Sequence, residues 1–163
     1  MSDEQAIAIT LTVNGERVSR RVSVRQHLVD FLRTELGLTG AHLGCEHGVC
    51  GACSVRVDEA LVRGCLMLAV QADGADVSTI EGLDATGEIA DLQQAFVARN
   101  ALQCGFCTPG MLMAAAELLR APAHKTRAEI RTHLAGNFCR CTGYQAIIDA
   151  VAATLEKRLA GGG

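Results

Sequence analysis

Eight cysteines fall into two spaced sets. Cys45, Cys50, Cys53 and Cys65 follow C-x4-C-x2-C-x11-C, and Cys104, Cys107, Cys139 and Cys141 follow C-x2-C-x31-C-x-C. Four thiolates are the ligand count of one [2Fe–2S] cluster, and an opening of x4 then x2 is a spacing that holds such clusters. The pattern predicts two clusters, each a one-electron centre. No Ser/His/Asp set, P-loop or GxGxxG fingerprint stands beside them. Two such centres with little other recognisable chemistry point to a chain that moves electrons.

The local text around each set suits an anionic group. Gly44, Gly48 and Gly51 are interleaved with Cys45, Cys50 and Cys53. Glycine lets the backbone approach closely and turn its N–H groups toward sulfur, which also tunes a cluster's potential. In the second set, Thr108 reads as an N-cap and Pro109 as the first residue of a helix after Cys107. Cys139 and Cys141 also precede a helical pattern. Both pairs are therefore expected at helix N-termini, where the dipole favours thiolates.

Other uses of eight cysteines were weighed. Disulfides need an oxidising compartment, and the sequence opens without a charged region followed by an apolar stretch. A reducing, cytoplasmic setting is expected. The second set alone fits a four-cysteine zinc site. The first set has only one C-x2-C, where a zinc ribbon more often has two. Rieske ligation needs two histidines, and only His47 lies among the ligands. His47 reads as a solvated loop residue or as a group that tunes the first cluster. His27, His42, His124 and His133 show no ligand pattern.

Composition narrows the class further. The chain has 163 residues, a net charge of −3 and 20% charged residues. There is no basic stripe, so no nucleic-acid partner is expected. No apolar run reaches membrane-spanning length. Hydrophobic residues make up 49% but aromatics only 3%, which fits a core of Ala, Leu and Val between packed helices.

Ile7 to Val13 alternates as a strand, Asn14-Gly15 signals a hairpin, and Arg17 to Val22 reads as the return strand. Ser23 is expected to cap a helix with Leu28, Phe31, Leu32 and Leu36 on one face. Residues 54–57 and 61–63 read as a second strand pair, and Asp76 to Ile80 as an edge strand. These elements predict a β-grasp, ferredoxin-like domain over residues 1–82. From 83 to 163 the pattern becomes helical. Ile89, Leu92, Phe96 and Val97 mark one helix, and Met111, Leu112, Ala115, Leu118 and Leu119 a second, with Met111 and Met113 as core filling. Thr126-x-x-Glu129 opens a third as a capping box, with Gly136 at its end. Ile147, Ile148, Val151, Leu155 and Leu159 mark the fourth. The expected fold is α+β, a β-grasp domain followed by a four-helix bundle and a disordered tail at Gly161 to Gly163.

GCEHGVCGAC, QCGFCTPGM and GNFCRCTGY, in this order, resemble the small iron–sulfur subunit of the xanthine oxidase family of molybdenum hydroxylases. The resemblance runs from about Ile7 to about Leu155. It implies two [2Fe–2S] clusters on this chain, a large molybdopterin-binding subunit and a medium FAD-binding subunit as partners. It puts the second cluster near the molybdenum–pterin cofactor and the first toward the flavin. Gln103 matches the family's pterin-bonding Gln, and Cys141 matches a cysteine near the pterin. A helix-end cap or a surface amide is the plainer reading of Gln103. Where relatives place Asp-Gly between the third and fourth ligands, this chain has Asp58-Glu59, so Ala60 is expected to take the positive φ or the turn type to change. Two other classes stay open: a free-standing ferredoxin-like carrier, and a zinc-stabilised interaction module.

Overall fold

Asn14 and Gly15 take φ of 51° and 83°, the pair of positive values that a type I′ hairpin turn demands. They join β1 (Ala6–Val13) to β2 (Glu16–Ser23) in antiparallel register. The computed structural model describes residues 5–161. Ile9, Leu11 and Val13 are buried on one side of β1, as its two-residue period requires. Next comes α1 (Leu28–Thr34), which buries Leu28, Val29, Phe31 and Leu32. Its N-cap is His27, not the expected Ser23. Ser23 ends β2, and a turn in which Gln26 N–H donates to the Ser23 carbonyl delays the helix.

β3 (Ser54–Val57) and β4 (Ala60–Arg63) form the second hairpin. Ala60 does not take the left-handed position: it already pairs with Val57. The two-residue turn instead puts Asp58 at φ 45° and Glu59 at φ 72°. Left-handed backbone is costly for both residues, and two contacts oppose the strain. Asp58 Oδ1 accepts from Asp76 N–H at 2.9 Å. Arg120, from the helical region, donates to the Glu59 carbonyl at 2.9 Å and pairs with its carboxylate.

β5 (Asp76–Ser78) is central in the sheet and not at its edge; the order is β2-β1-β5-β3-β4. It runs parallel to β1 and antiparallel to β3. So short a strand fits between two others because each lends only its end, Thr12 and Val13 on one side, Arg56 and Val57 on the other. Val77 is fully buried there.

The helical region contains α2 (Ile80–Ala85), α3 (Ala90–Ala98), α4 (Thr108–Arg120), α5 (Arg127–Leu134) and α6 (Gln145–Gly161). α2 is an addition to the four expected helices, too short for periodicity to reveal. Val97 lies off the buried face of α3, which is set by Leu92 and Phe96 after Ile89. The capping box of α5 forms: Glu129 N–H donates to Thr126 Oγ1 at 3.3 Å and the Glu129 carboxylate accepts from Thr126 N–H at 2.7 Å. The helix ends at Ala135, and Gly136 follows it without a positive φ. Gly161 is the last residue of α6, not part of a tail, and residues 162 and 163 lie outside the described residues.

Two buried clusters of apolar side chains result. One joins the sheet to α1, and the other joins α3 to α6, with Met111 and Met113 buried in it as expected. α4 lies against β3 and β4. Arg56 crosses between the halves to Glu88 at 2.6 Å. None of the helices among the described residues is long and apolar enough to cross a membrane.

Candidate metal centres

The segment between α1 and β3 carries three thiols without regular structure, as a ligand-binding loop must when its backbone serves the ligand. Glu46 and Gly48 take positive φ, which curls the chain into a concavity of N–H groups. Cys50 N–H reaches Cys45 Sγ at 3.4 Å. That contact, with the N–H groups of His47 and Val49, pulls the Cys45 thiol down to about 6. Cys53 and Cys65 are buried at the other side. Burial, together with the neighbouring Cys65 and Cys50 thiols, pushes Cys53 up to about 11. His47 is exposed, and its Nδ1 meets the Cys45 carbonyl.

The second set is assembled from two distant segments. Cys107 is the N-cap of α4, one residue before the expected Thr108. Cys139 and Cys141 sit in the turns between α5 and α6, separated from α6 by residues 142–144, and so not at its terminus. Nor does the helix end make Cys107 acidic. Desolvation and the adjacent Cys139 and Cys104 thiols outweigh it and push Cys107 up to about 12. Cys139 moves the other way. Burial opposes its ionisation, but the Thr142 hydroxyl at 3.1 Å and Thr142 N–H at 3.4 Å bond its sulfur and hold it below the ordinary thiol value. Cys139 N–H donates to the Tyr144 hydroxyl at 2.9 Å. Cys141 and Cys104 are exposed with their sulfurs 3.6 Å apart, and that contact raises Cys141.

The thiols of each set therefore influence one another: Cys53 feels Cys65 and Cys50, Cys107 feels Cys139 and Cys104, and Cys141 lies against Cys104. A [2Fe–2S] cluster shares four cysteines between two irons, and two sets of four free thiols are a donor set that two such clusters would fit. All eight are free thiols and not disulfides.

Gln103 is exposed beside Cys104. Leu102, Phe106 and Phe138, close in sequence to cysteines of the second set, expose large apolar surfaces, and Val49 and Leu66 do the same next to Cys50 and Cys65. Several residues that hold the site together carry no motif. His42, expected to be ordinary, bonds the Phe106 carbonyl through Nδ1 at 2.7 Å and stacks on the Phe106 ring at 4.8 Å. The Phe106 ring is thereby brought close to Gly44, 3.4 Å from where a Cβ would stand. Arg63 and Asn137 join the two cysteine regions by hydrogen bonds. One sequence pairs no such partners, because they are more than 60 residues apart.

The chain is similar to known proteins along nearly its whole length. A 2Fe-2S iron-sulfur cluster binding domain family matches residues 11–78, and a [2Fe-2S] binding domain family matches residues 79–152. The chain is 54% identical to caffeine dehydrogenase subunit gamma of Pseudomonas sp. (strain CBB1), over 88% of this chain and 87% of that one. It is 43% identical to the xanthine dehydrogenase iron-sulfur-binding subunit of Escherichia coli O157:H7, over 93% and 96%. It also superposes on the crystal structure of quinoline 2-oxidoreductase from Pseudomonas putida 86 with a TM-score of 0.88 and 47% identity, covering 96% of this chain and 98% of that one. Two matching [2Fe-2S] families and likeness along nearly the whole length lead to one conclusion: the chain belongs to the small iron–sulfur subunits of the xanthine oxidase family and is an electron-transfer subunit of an oxidoreductase.

Proposed function

We propose that Cys45, Cys50, Cys53 and Cys65 hold one [2Fe–2S] cluster and Cys104, Cys107, Cys139 and Cys141 the other, within units bounded at 1–82 and 83–163, the latter a four-helix bundle of α3 to α6. The observation that carries this reading is that the fold gathers four free thiols in each half, with Cys104 and Cys141 3.6 Å apart at the surface and Cys107 and Cys139 further in. Bound there, the clusters would supply one-electron chemistry, relaying electrons from a molybdenum–pterin site on a large subunit to FAD or another acceptor on a partner subunit. The exposed pair and its apolar rim of Leu102, Phe106 and Phe138 suit the face toward the large subunit. On that face the amide of Gln103 can donate to and accept from a pterin edge, with Cys141 beside it. Free thiols fit a cytoplasmic setting.

The test is reduction by substrate. The chain alone should take electrons from dithionite and oxidise no substrate, whereas the complex with its large partner becomes reducible by substrate. Gln103→Ala in that complex should slow the reduction by about 2- to 10-fold, the loss of one hydrogen bond, with both clusters spectroscopically intact. Unchanged rates at full cofactor occupancy would remove Gln103 from the role, and turnover by the chain alone would overturn the subunit reading.

A further inference from the structure

One backbone hydrogen bond ties a cysteine of the first set to the neighbour of a cysteine in the second. The Cys50 carbonyl accepts from Phe138 N–H at 2.8 Å, and Phe138 is bonded directly to Cys139. A continuous path thus runs from one ligand set to the other along backbone, with a single non-covalent link. Both ends of that link are held by a closed ring of polar groups. Asn137, next to Phe138, is only 2% exposed, and its Nδ2 donates to the Gly51 carbonyl at 3.1 Å. Gly51 follows Cys50. Asn137 Oδ1 accepts from Arg63 Nη2 at 3.3 Å, and the same nitrogen donates to the Gly136 carbonyl at 2.7 Å. Arg63 Nη1 donates to Ser54 Oγ, which in turn donates to the Gly51 carbonyl at 2.6 Å.

Such a ring is strong only when complete, because each buried group polarises and satisfies the next. Asn137 is the member that spans the two regions through one side chain, as a donor toward Gly51 and an acceptor toward Arg63. Its place in the sequence is as telling as its contacts. It sits two residues from one ligand and grips a residue adjacent to another, so any rotation of one cluster loop against the other must break it.

We propose that Asn137 is a positioning residue for electron exchange between the two centres, closing with Gly51, Ser54 and Arg63 the ring that fixes the Cys50–Phe138 hydrogen bond. The proposal rests on the ligand assignment above. In the exchange one electron leaves the second centre, which is oxidised, and enters the first, which is reduced. No bond forms or breaks, and no proton crosses the joint. The role of Asn137 is geometric: it sets the separation and the connected path on which such exchange depends.

The discriminating variant is Asn137→Asp in the cluster-loaded full chain. It keeps the size of the side chain and the acceptor for Arg63 but turns an oxygen toward the Gly51 carbonyl. A merely space-filling role would leave it silent. Fully reduced with dithionite and measured by low-temperature EPR, the wild type should show two signals split by the interaction between the centres. Asn137→Asp should retain both signals and full iron but lose the splitting, and its Phe138 amide should lose protection from hydrogen exchange. If Asn137→Asp sheds a cluster, Arg63→Lys decides, since lysine keeps the charge without the fork that reaches Ser54 and Gly136 together; the same loss of splitting is expected. Two signals without splitting in the wild type, or splitting and protection unchanged in the variants, overturn the role of Asn137. A wild type with fewer than two clusters overturns the ligand assignment instead.

Discussion

Cys45→Ser should remove about two of about four irons and erase one EPR signal, leaving the signal of the helical region unchanged. Cys139→Ser should do the reverse. The separation follows from the pairing: Cys45 meets Cys50 within one loop, whereas Cys139 meets Cys107 across α4 and α5. The second change should also cost more stability. Cys139 anchors the Thr142 hydroxyl and, through its N–H, Tyr144, and metal binding energy is folding energy where the ligands come from distant segments. Thermal unfolding followed by circular dichroism should show the helical signal melting earlier in Cys139→Ser than in Cys45→Ser. Loss of both EPR signals from either change, with the fold intact, would contradict the division of ligands.

Gly110→Ala should destabilise the chain although it adds only one methyl. Gly110 lies in the first turn of α4, and a Cβ there would sit 2.2 Å from the Gly51 carbonyl oxygen and 3.2 Å from Ala52 Cα. Both are backbone atoms of the segment between Cys50 and Cys53, so no side chain can swing aside. Gly51 itself is held at φ +76°, with Asn137 and the Gly136 carbonyl 2.6 Å from where its own Cβ would be. Alanine normally stabilises a helix interior over glycine by up to about 1 kcal/mol. Here overpacking against fixed backbone should prevail, for a net loss of about 1–3 kcal/mol. The measurement is the melting temperature of the cluster-loaded chain together with its EPR splitting. A melting temperature equal to or above the wild type would show that α4 does not press on the first cluster loop.

The parts of this protein that sequence reveals are those whose physics is local. Asn14-Gly15 announces its turn because few other pairs tolerate both φ values, and the Thr126–Glu129 box carries both of its partners in four residues. The cysteine spacings expose the ligand sets for the same reason. What the spacings leave open is which thiol meets which, because Cys104 lies opposite Cys141 only after α4 and α5 have folded. The short β5 reads as an edge because nothing in three residues says that two longer strands lend it their ends. Ala60 looks like the left-handed residue until Arg120, 60 positions later, is seen to brace Glu59. Cys107 shows the limit of a local rule: it stands at a helix N-terminus, yet burial raises its thiol. The joint of Gly51, Ser54, Arg63 and Asn137 is least legible of all, since a buried asparagine beside a ligand looks like any loop residue until its partner is known.

The most direct test of the account is iron, acid-labile sulfide and zinc analysis of the purified chain, joined to EPR of the reduced protein. Two clusters require about four irons and about four sulfides per chain, and two distinct signals because the thiol environments differ in burial and hydrogen bonding. A colourless protein holding zinc, or a single signal with about two irons, would contradict it.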